Sequence, residues 1–216
     1  MVNTTKRVSY TSSNSYETLN KLTEKTKNIW IVLHGMGYLS RYFLKPFQAL
    51  NSEENYIISP QAPSKYYLKN DFKYVGASWL TKEDTPAEIE NVMAYLQAVL
   101  ENEPISSPKK LVLFGFSQGV SIVTRFMVRQ QLRPSNLILY AGGIPRELKA
   151  KDFEYLDLEQ TEINMVYGSK DHFLTPDRLQ TEFKKLSDLF KGRAKIVEFD
   201  GGHEILPDVV KKLVEI

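Results

Sequence analysis

The sequence predicts an α/β protein with a mainly parallel central sheet and helices on both faces. Three observations predict it: short, almost wholly apolar runs recur along the chain, amphipathic stretches of helical length separate them, and the alternation persists to the last residues. Continuous apolar runs mark strands buried on both faces, as in a parallel sheet covered by its own crossover helices. A chain of 216 residues can bury roughly 70–75 % of the surface its unfolded form exposes. It has no internal repeat, low-complexity tract or Gly/Ser linker, so a single domain over residues 1–216 is expected.

The elements follow in order. Residues 1–27 contain alternating stretches such as Arg7-Val8-Ser9-Tyr10 and are expected to add one or two antiparallel edge strands. Runs at 29–33, 56–59, 111–114, 137–140, 163–167 and 196–199 read as buried strands, most of them ended by Gly, Pro or Asp. Helical spacing covers 41–50, 86–101, 118–131, 176–190 and 207–214. Pro86, Pro176 and Pro207 suit a first helical turn, where the missing N–H has no intrahelical partner to lose.

Composition removes several classes of function. Lys and Arg total 28 against 26 Asp and Glu, and no basic run forms a footprint for a phosphate backbone, so nucleic acid is not an expected partner. Cysteine is absent, which excludes a disulfide scaffold, a thiolate nucleophile and a Cys-ligated metal. The first twenty residues are polar and no run of about 18 apolar residues occurs, so neither a secretory signal nor a transmembrane segment is expected, and the expected location is cytoplasmic.

In an open parallel sheet, ligands sit beyond the carboxyl ends of the strands, so the residues following each apolar run carry the chemistry. The run 111–114 leads into Gly115-Phe116-Ser117-Gln118-Gly119 and then into helical spacing. This is a GxSxG segment in strand–turn–helix context, a nucleophile elbow. The serine must sit on a sharp turn, and glycines on both sides relieve the crowding of strand against helix. From residue frequencies alone such a segment arises about once per 3,000 windows. The turn sets Ser117 at the start of a helix, where free N–H groups and the positive dipole end favour a negatively charged substrate oxygen; Gln118 N–H is the natural first donor.

A serine hydroxyl needs a base, and there are three histidines. His203 follows the last strand through Asp200-Gly201-Gly202 and precedes the last helix, the position expected of the base. His34 follows the first long strand and is expected to hold its loop by hydrogen bonding; His172 reads as a loop residue. Asp171, just beyond the strand at 163–167, can accept the Nδ1 proton of His203 and fix its tautomer. Asp200 is the rival carboxylate, but it lies three residues from His203 in the same turn. The order Ser117, Asp171, His203 is that of the α/β-hydrolase fold. Small residues in His34-Gly35-Met36-Gly37 allow a backbone N–H to approach substrate, which makes Met36 the second oxyanion-hole candidate.

Together these segments resemble the phospholipase/carboxylesterase family of α/β-hydrolases, the group that includes acyl-protein thioesterases. Leu33-His34-Gly35-Met36-Gly37 resembles its oxyanion segment, and Gly115-Phe116-Ser117-Gln118-Gly119 matches its nucleophile segment. Pro60-Gln61-Ala62-Pro63 with Ala77-Ser78-Trp79 resembles its substrate loop; Tyr167-Gly168-Ser169-Lys170-Asp171 and Gly201-Gly202-His203 resemble its acid and histidine segments. The resemblance implies a metal-free, cofactor-free serine esterase or thioesterase acting on a small acyl ester, a lysophospholipid or an acylated protein, often as a homodimer. Two departures stand out: Tyr38 where the family usually has an acid, and Ala141-Gly142-Gly143 where it has Ser-Gly.

The connection 61–79 is long and carries Tyr66, Tyr67, Phe72, Tyr74 and Trp79. These aromatics are expected to line an acyl pocket or a lid, or else to fasten the loop to the sheet. Tyr38, Tyr74 and Trp79 are the candidate substrate-binding residues. Acyl transfer to an alcohol through the same acyl-serine, and non-catalytic ligand binding on a hydrolase scaffold, remain the alternatives.

Overall fold

The structure is a computed structural model that describes residues 3–105 and 109–214. Among the described residues, nine strands form two sheets. The larger contains β1 (Tyr16–Leu19), β2 (Asn28–Leu33), β3 (Asn55–Pro60), β6 (Lys110–Phe116), β7 (Asn136–Tyr140), β8 (Glu162–Gly168) and β9 (Lys195–Phe199); the smaller pairs β4 (Ser64–Tyr67) with β5 (Val75–Ser78). The helices are α1 (Ser40–Phe43), α2 (Thr85–Asn102), α3 (Gln118–Arg129), α4 (Pro176–Phe190) and α5 (Pro207–Lys212). Strand order is β1-β3-β2-β6-β7-β8-β9, with β1 antiparallel to β3 and every other pair parallel.

Period-two alternation divides the core between the two faces. Ile31 and Leu33 of β2, Leu113 of β6 and Leu137 and Leu139 of β7 pack with buried residues of α2, α3 and α4. Trp30 and Val32, Phe114 and Phe116, and Ile138 and Tyr140 pack on the other side with Phe43, Phe47, Val210 and Leu213. Each such side chain stabilises the fold by about 1.5–3 kcal/mol relative to leaving it in water.

The N-terminal segment supplies one antiparallel edge strand, β1, within the one or two expected. Two details are corrected. Arg7-Val8-Ser9-Tyr10 belong to no strand, and Val8 and Tyr10 are almost fully exposed. The expected helix at 41–50 is broken into α1 and a 3₁₀ segment, Lys45–Ala49. Pro46 explains the break, since it has no N–H to continue an α-helical ladder and its ring clashes with the carbonyl four residues back. The long connection 61–79 contains the β4–β5 hairpin.

The connectivity locates a crevice. β2 and β6 are neighbours, paired up to Leu33 opposite Gly115, although β3 to β5 and α2 lie between them in sequence. From β2 the chain moves outward to β3 and later returns to β6 on the other side. The loops leaving β2 and β6 therefore diverge at a topological switch point, where open α/β sheets bind ligands.

Candidate active site

Ser117 occupies the turn between β6 and α3 with φ 54° and ψ −115°. A non-glycine residue with positive φ costs about 1–3 kcal/mol and persists only where its surroundings over-determine it. Here the surroundings are unusually close. A Cβ on Gly119 would lie 2.0 Å from the Leu33 carbonyl oxygen, and one on Gly35 would lie 2.9 Å from the Phe116 ring and 3.1 Å from Ser117 Cβ. The glycines thus allow the β2 loop to rest directly on the elbow. Ser117 N–H donates to the Tyr140 carbonyl at 2.8 Å, anchoring the turn to the neighbouring strand.

His203 and Asp171 arrive from the ends of β9 and β8. Their loops are joined by backbone hydrogen bonds from Ser169 N–H to Phe199 O and from Lys170 N–H to Gly201 O, both 2.8 Å. His203 Nδ1 lies 2.6 Å from Asp171 Oδ2, and Nε2 lies 2.9 Å from Ser117 Oγ. A carboxylate can only accept, so Nδ1 carries the proton and Nε2 presents its lone pair to the serine hydroxyl. The Asp171 side chain is fully enclosed and its Oδ1 accepts the Phe173 N–H at 2.9 Å. Phe116 and Phe173 pack against the imidazole with ring centroids 4.9 and 4.8 Å away, which limits its motion.

The other histidines and the rival acid lie elsewhere. His34 is buried, with Nδ1 2.7 Å from Gly35 O and Nε2 accepting the Ala62 N–H at 3.1 Å. Burial pushes its pKa down to about 4, in keeping with a neutral ring that holds two loops together. His172 is exposed beside Phe173. Asp200 faces solvent and pairs with Lys170 at 2.6 Å, which holds its carboxyl below the usual carboxylate range.

Gln118 follows Ser117 in the chain, and Met36 follows Gly35, where a Cβ would lie 3.1 Å from Ser117 Cβ. The Gln118 N–H opens α3 and has no intrahelical acceptor. Tyr38 is partly exposed and packs edge-on against Phe116 and Phe43; burial, with Glu204 nearby, pushes its phenol pKa up. Tyr74 is exposed on the hairpin. Trp79 does not fit the expectation of a substrate-binding residue: it is fully buried, and its indole N–H donates to the His34 carbonyl at 2.8 Å. The sequence reading also misses Phe173, which shares the loop after β8 with Asp171, the signal that could have found it. Ser78 enters that reading only within the substrate-loop segment Ala77-Ser78-Trp79; its bond to the Gln118 side chain has no local signal.

Met36, Tyr66, Leu68 and Phe173 expose apolar surface, and Tyr66 and Leu68 reach to within 4 Å of a Cβ position on Gly37. Among the described residues, no group of three or more His, Asp or Glu side chains is arranged to hold a metal ion, and no helix is long and apolar enough to cross a membrane.

Comparison with known proteins agrees with this architecture. The model of the Phospholipase/Carboxylesterase family matches residues 14–216. Among solved structures, Zea mays acyl-protein thioesterase 2 is similar with a TM-score of 0.70 and 16 % identity, over 94 % of this chain and 98 % of that one. Esterase PE8 gives 0.68 and 20 %, over 94 % and 99 %. A phospholipase/carboxylesterase from Dyadobacter fermentans gives 0.66 and 20 %, over 96 % and 99 %. No curated protein matches significantly by sequence. The family match over nearly the whole chain, on a parallel sheet whose switch point holds a strained serine, makes this protein a member of the phospholipase/carboxylesterase family of α/β-hydrolases.

Proposed function

We propose that the protein is a serine esterase that hydrolyses a carboxylic ester with an apolar acyl group through an acyl-serine intermediate. The observation that carries this reading is the unbroken row in which Asp171 Oδ2, His203 and Ser117 Oγ are linked at 2.6 and 2.9 Å. In this reading His203 Nε2 takes the Ser117 proton as Oγ bonds to the carbonyl carbon. Asp171 orients the ring and stabilises the imidazolium. The carbonyl oxygen becomes an oxyanion received by the N–H groups of Met36 and Gln118. Collapse breaks the bond to the leaving alkoxide, which receives the proton from His203. Water then repeats the sequence on the acyl-serine and releases the carboxylic acid.

Tyr38 packed on Phe116 and Phe173 packed on His203 expose aromatic surface beside the Ser117–His203 pair, and Tyr74 is exposed on the hairpin; such surface suits an acyl chain better than a sugar or phosphate. A thioester would pass through the same intermediate. Initial rates on p-nitrophenyl esters and acyl thioesters of increasing chain length will separate the two and measure the length accepted. Ser117→Ala is expected to lower kcat by about 10⁶. Near-wild-type turnover by that variant would refute the assignment.

A further inference from the structure

We propose that residues 77–80 brace the two halves of the oxyanion hole and that Trp79 and the Gln118 side chain are positioning residues for it; this rests on the serine-esterase reading above. The two N–H donors stand on different loops, Met36 three residues beyond the last paired residue of β2 and Gln118 beyond β6. Two donors serve one oxyanion only when both lie about 2.7–3.1 Å from the same point. Sheet pairing fixes the loops as far as Leu33 and Gly115. Beyond that, the loops touch through Gly35 and Gly119, which limits how closely they approach but, among the described residues, ties neither loop to the other by a hydrogen bond of its own.

The exit of β5 makes contact with both. On the β2 side, the Ala77 carbonyl accepts the Gly37 N–H at 2.8 Å, and the Trp79 indole N–H donates to the His34 carbonyl at 2.8 Å. These bonds bracket Gly35 and Met36. On the β6 side, the Gln118 carboxamide is clasped by three of these residues: its Oε1 accepts the Trp79 backbone N–H at 2.8 Å, and its Nε2 donates to the Leu80 carbonyl at 2.7 Å and to Ser78 Oγ at 3.1 Å. Ser78 Oγ also donates to the Leu80 carbonyl at 2.8 Å, so the clasp is itself tied.

Trp79 thus touches the first loop through its side chain and the second through its backbone. It is fully buried, with no face to offer a substrate. The Gln118 carboxamide uses both its oxygen and its nitrogen in the clasp. Its side chain therefore fixes the orientation of the residue whose N–H faces the reacting oxygen. A misplacement of about 1 Å in a reacting group can cost on the order of a hundredfold in rate.

Trp79→Phe removes the indole N–H and keeps an aromatic ring; Gln118→Met removes the carboxamide and keeps the length. Both are assayed on a short p-nitrophenyl ester and with a trifluoromethyl ketone, whose hemiketal oxyanion occupies the hole. Each variant is expected to lose about ten- to a hundredfold in kcat with KM unchanged within twofold. The inhibition constant for the ketone should rise by the same factor as kcat/KM falls, in protein whose urea midpoint shows it folded under assay conditions. Unchanged kcat and ketone affinity in the folded variants overturns the brace. A rise in KM alone also overturns it and returns Trp79 to substrate binding. Should Trp79→Phe fail to fold, Gln118→Met and Ser78→Ala carry the same expectation. Wild-type turnover that does not depend on Ser117 would defeat the esterase reading, whereas normal Ser117-dependent turnover with indifferent variants defeats the brace alone.

Discussion

The two ends of the central sheet use polar groups in opposite ways. At the amino ends, asparagines complete one another: Asn55 Oδ1 accepts from Asn28 Nδ2 at 3.0 Å and from the Trp30 indole at 2.9 Å, while its Nδ2 reaches Asn51 O at 3.0 Å. Asn164 donates to Asn136, which donates to the Leu213 carbonyl, each at 3.0 Å. At the carboxyl ends, Ser117 and Ala141 hold positive φ directly after β6 and β7, and the serine hydroxyl meets an imidazole lone pair rather than a saturated network. One end stores hydrogen-bond stability; the other stores strain and reactive capacity. Substitutions at the two ends should therefore separate stability from activity.

The largest separation is expected from Asp171→Asn. Its loss in kcat should be about 10⁴, because the amide no longer fixes the histidine tautomer, while the urea midpoint moves little. Steady-state kinetics with equilibrium unfolding on the same protein checks both halves.

His34 sharpens the comparison, for it follows β2 at the carboxyl end yet is saturated like the asparagines. Its folded pKa of about 4 lies below the ordinary imidazole value of 6.5, so between those values the unfolded chain binds a proton that the folded one refuses. The stability it contributes is present in full above pH 6.5 and is lost as pH falls toward 4, a change on the order of 3 kcal/mol. Urea titrations from pH 7 to 4 should show a smaller loss for His34→Gln than for wild type.

Asn55→Ala leaves the Trp30 indole and Asn28 amide without their acceptor and is expected to cost about 1–3 kcal/mol, with kcat unchanged. An effect on kcat matching that on stability would erase the distinction between the ends. The smallest effect concerns the elbow. Gly normally destabilises relative to Ala, yet at φ 54° the order should invert, and Ser117→Gly should exceed Ser117→Ala in stability by up to about 1 kcal/mol. Differential unfolding of the two inactive variants measures it.

Much of this architecture is legible in the sequence because buried parallel strands are apolar on both faces. Each group in the Ser117–His203–Asp171 row follows one of those runs by a few residues. The hairpin is illegible for the opposite reason: all four residues of β4 are exposed, so Ser64-Lys65-Tyr66-Tyr67 shows no inside and outside. The break after α1 could have been read from Pro46, whose effect on the ladder outweighs the helical spacing around it. The direction of Trp79 depends on a hydrogen bond to a residue 45 positions away, which local pattern cannot encode.

The central claim is that Ser117 becomes acylated during turnover. Rapid acid quench after mixing with p-nitrophenyl acetate, followed by peptide mass mapping, tests it most directly. The account predicts an acetyl mass on Ser117, absent from Ser117→Ala and formed far more slowly in His203→Ala. Acetylation of a different residue that turns over at the steady-state rate would contradict it.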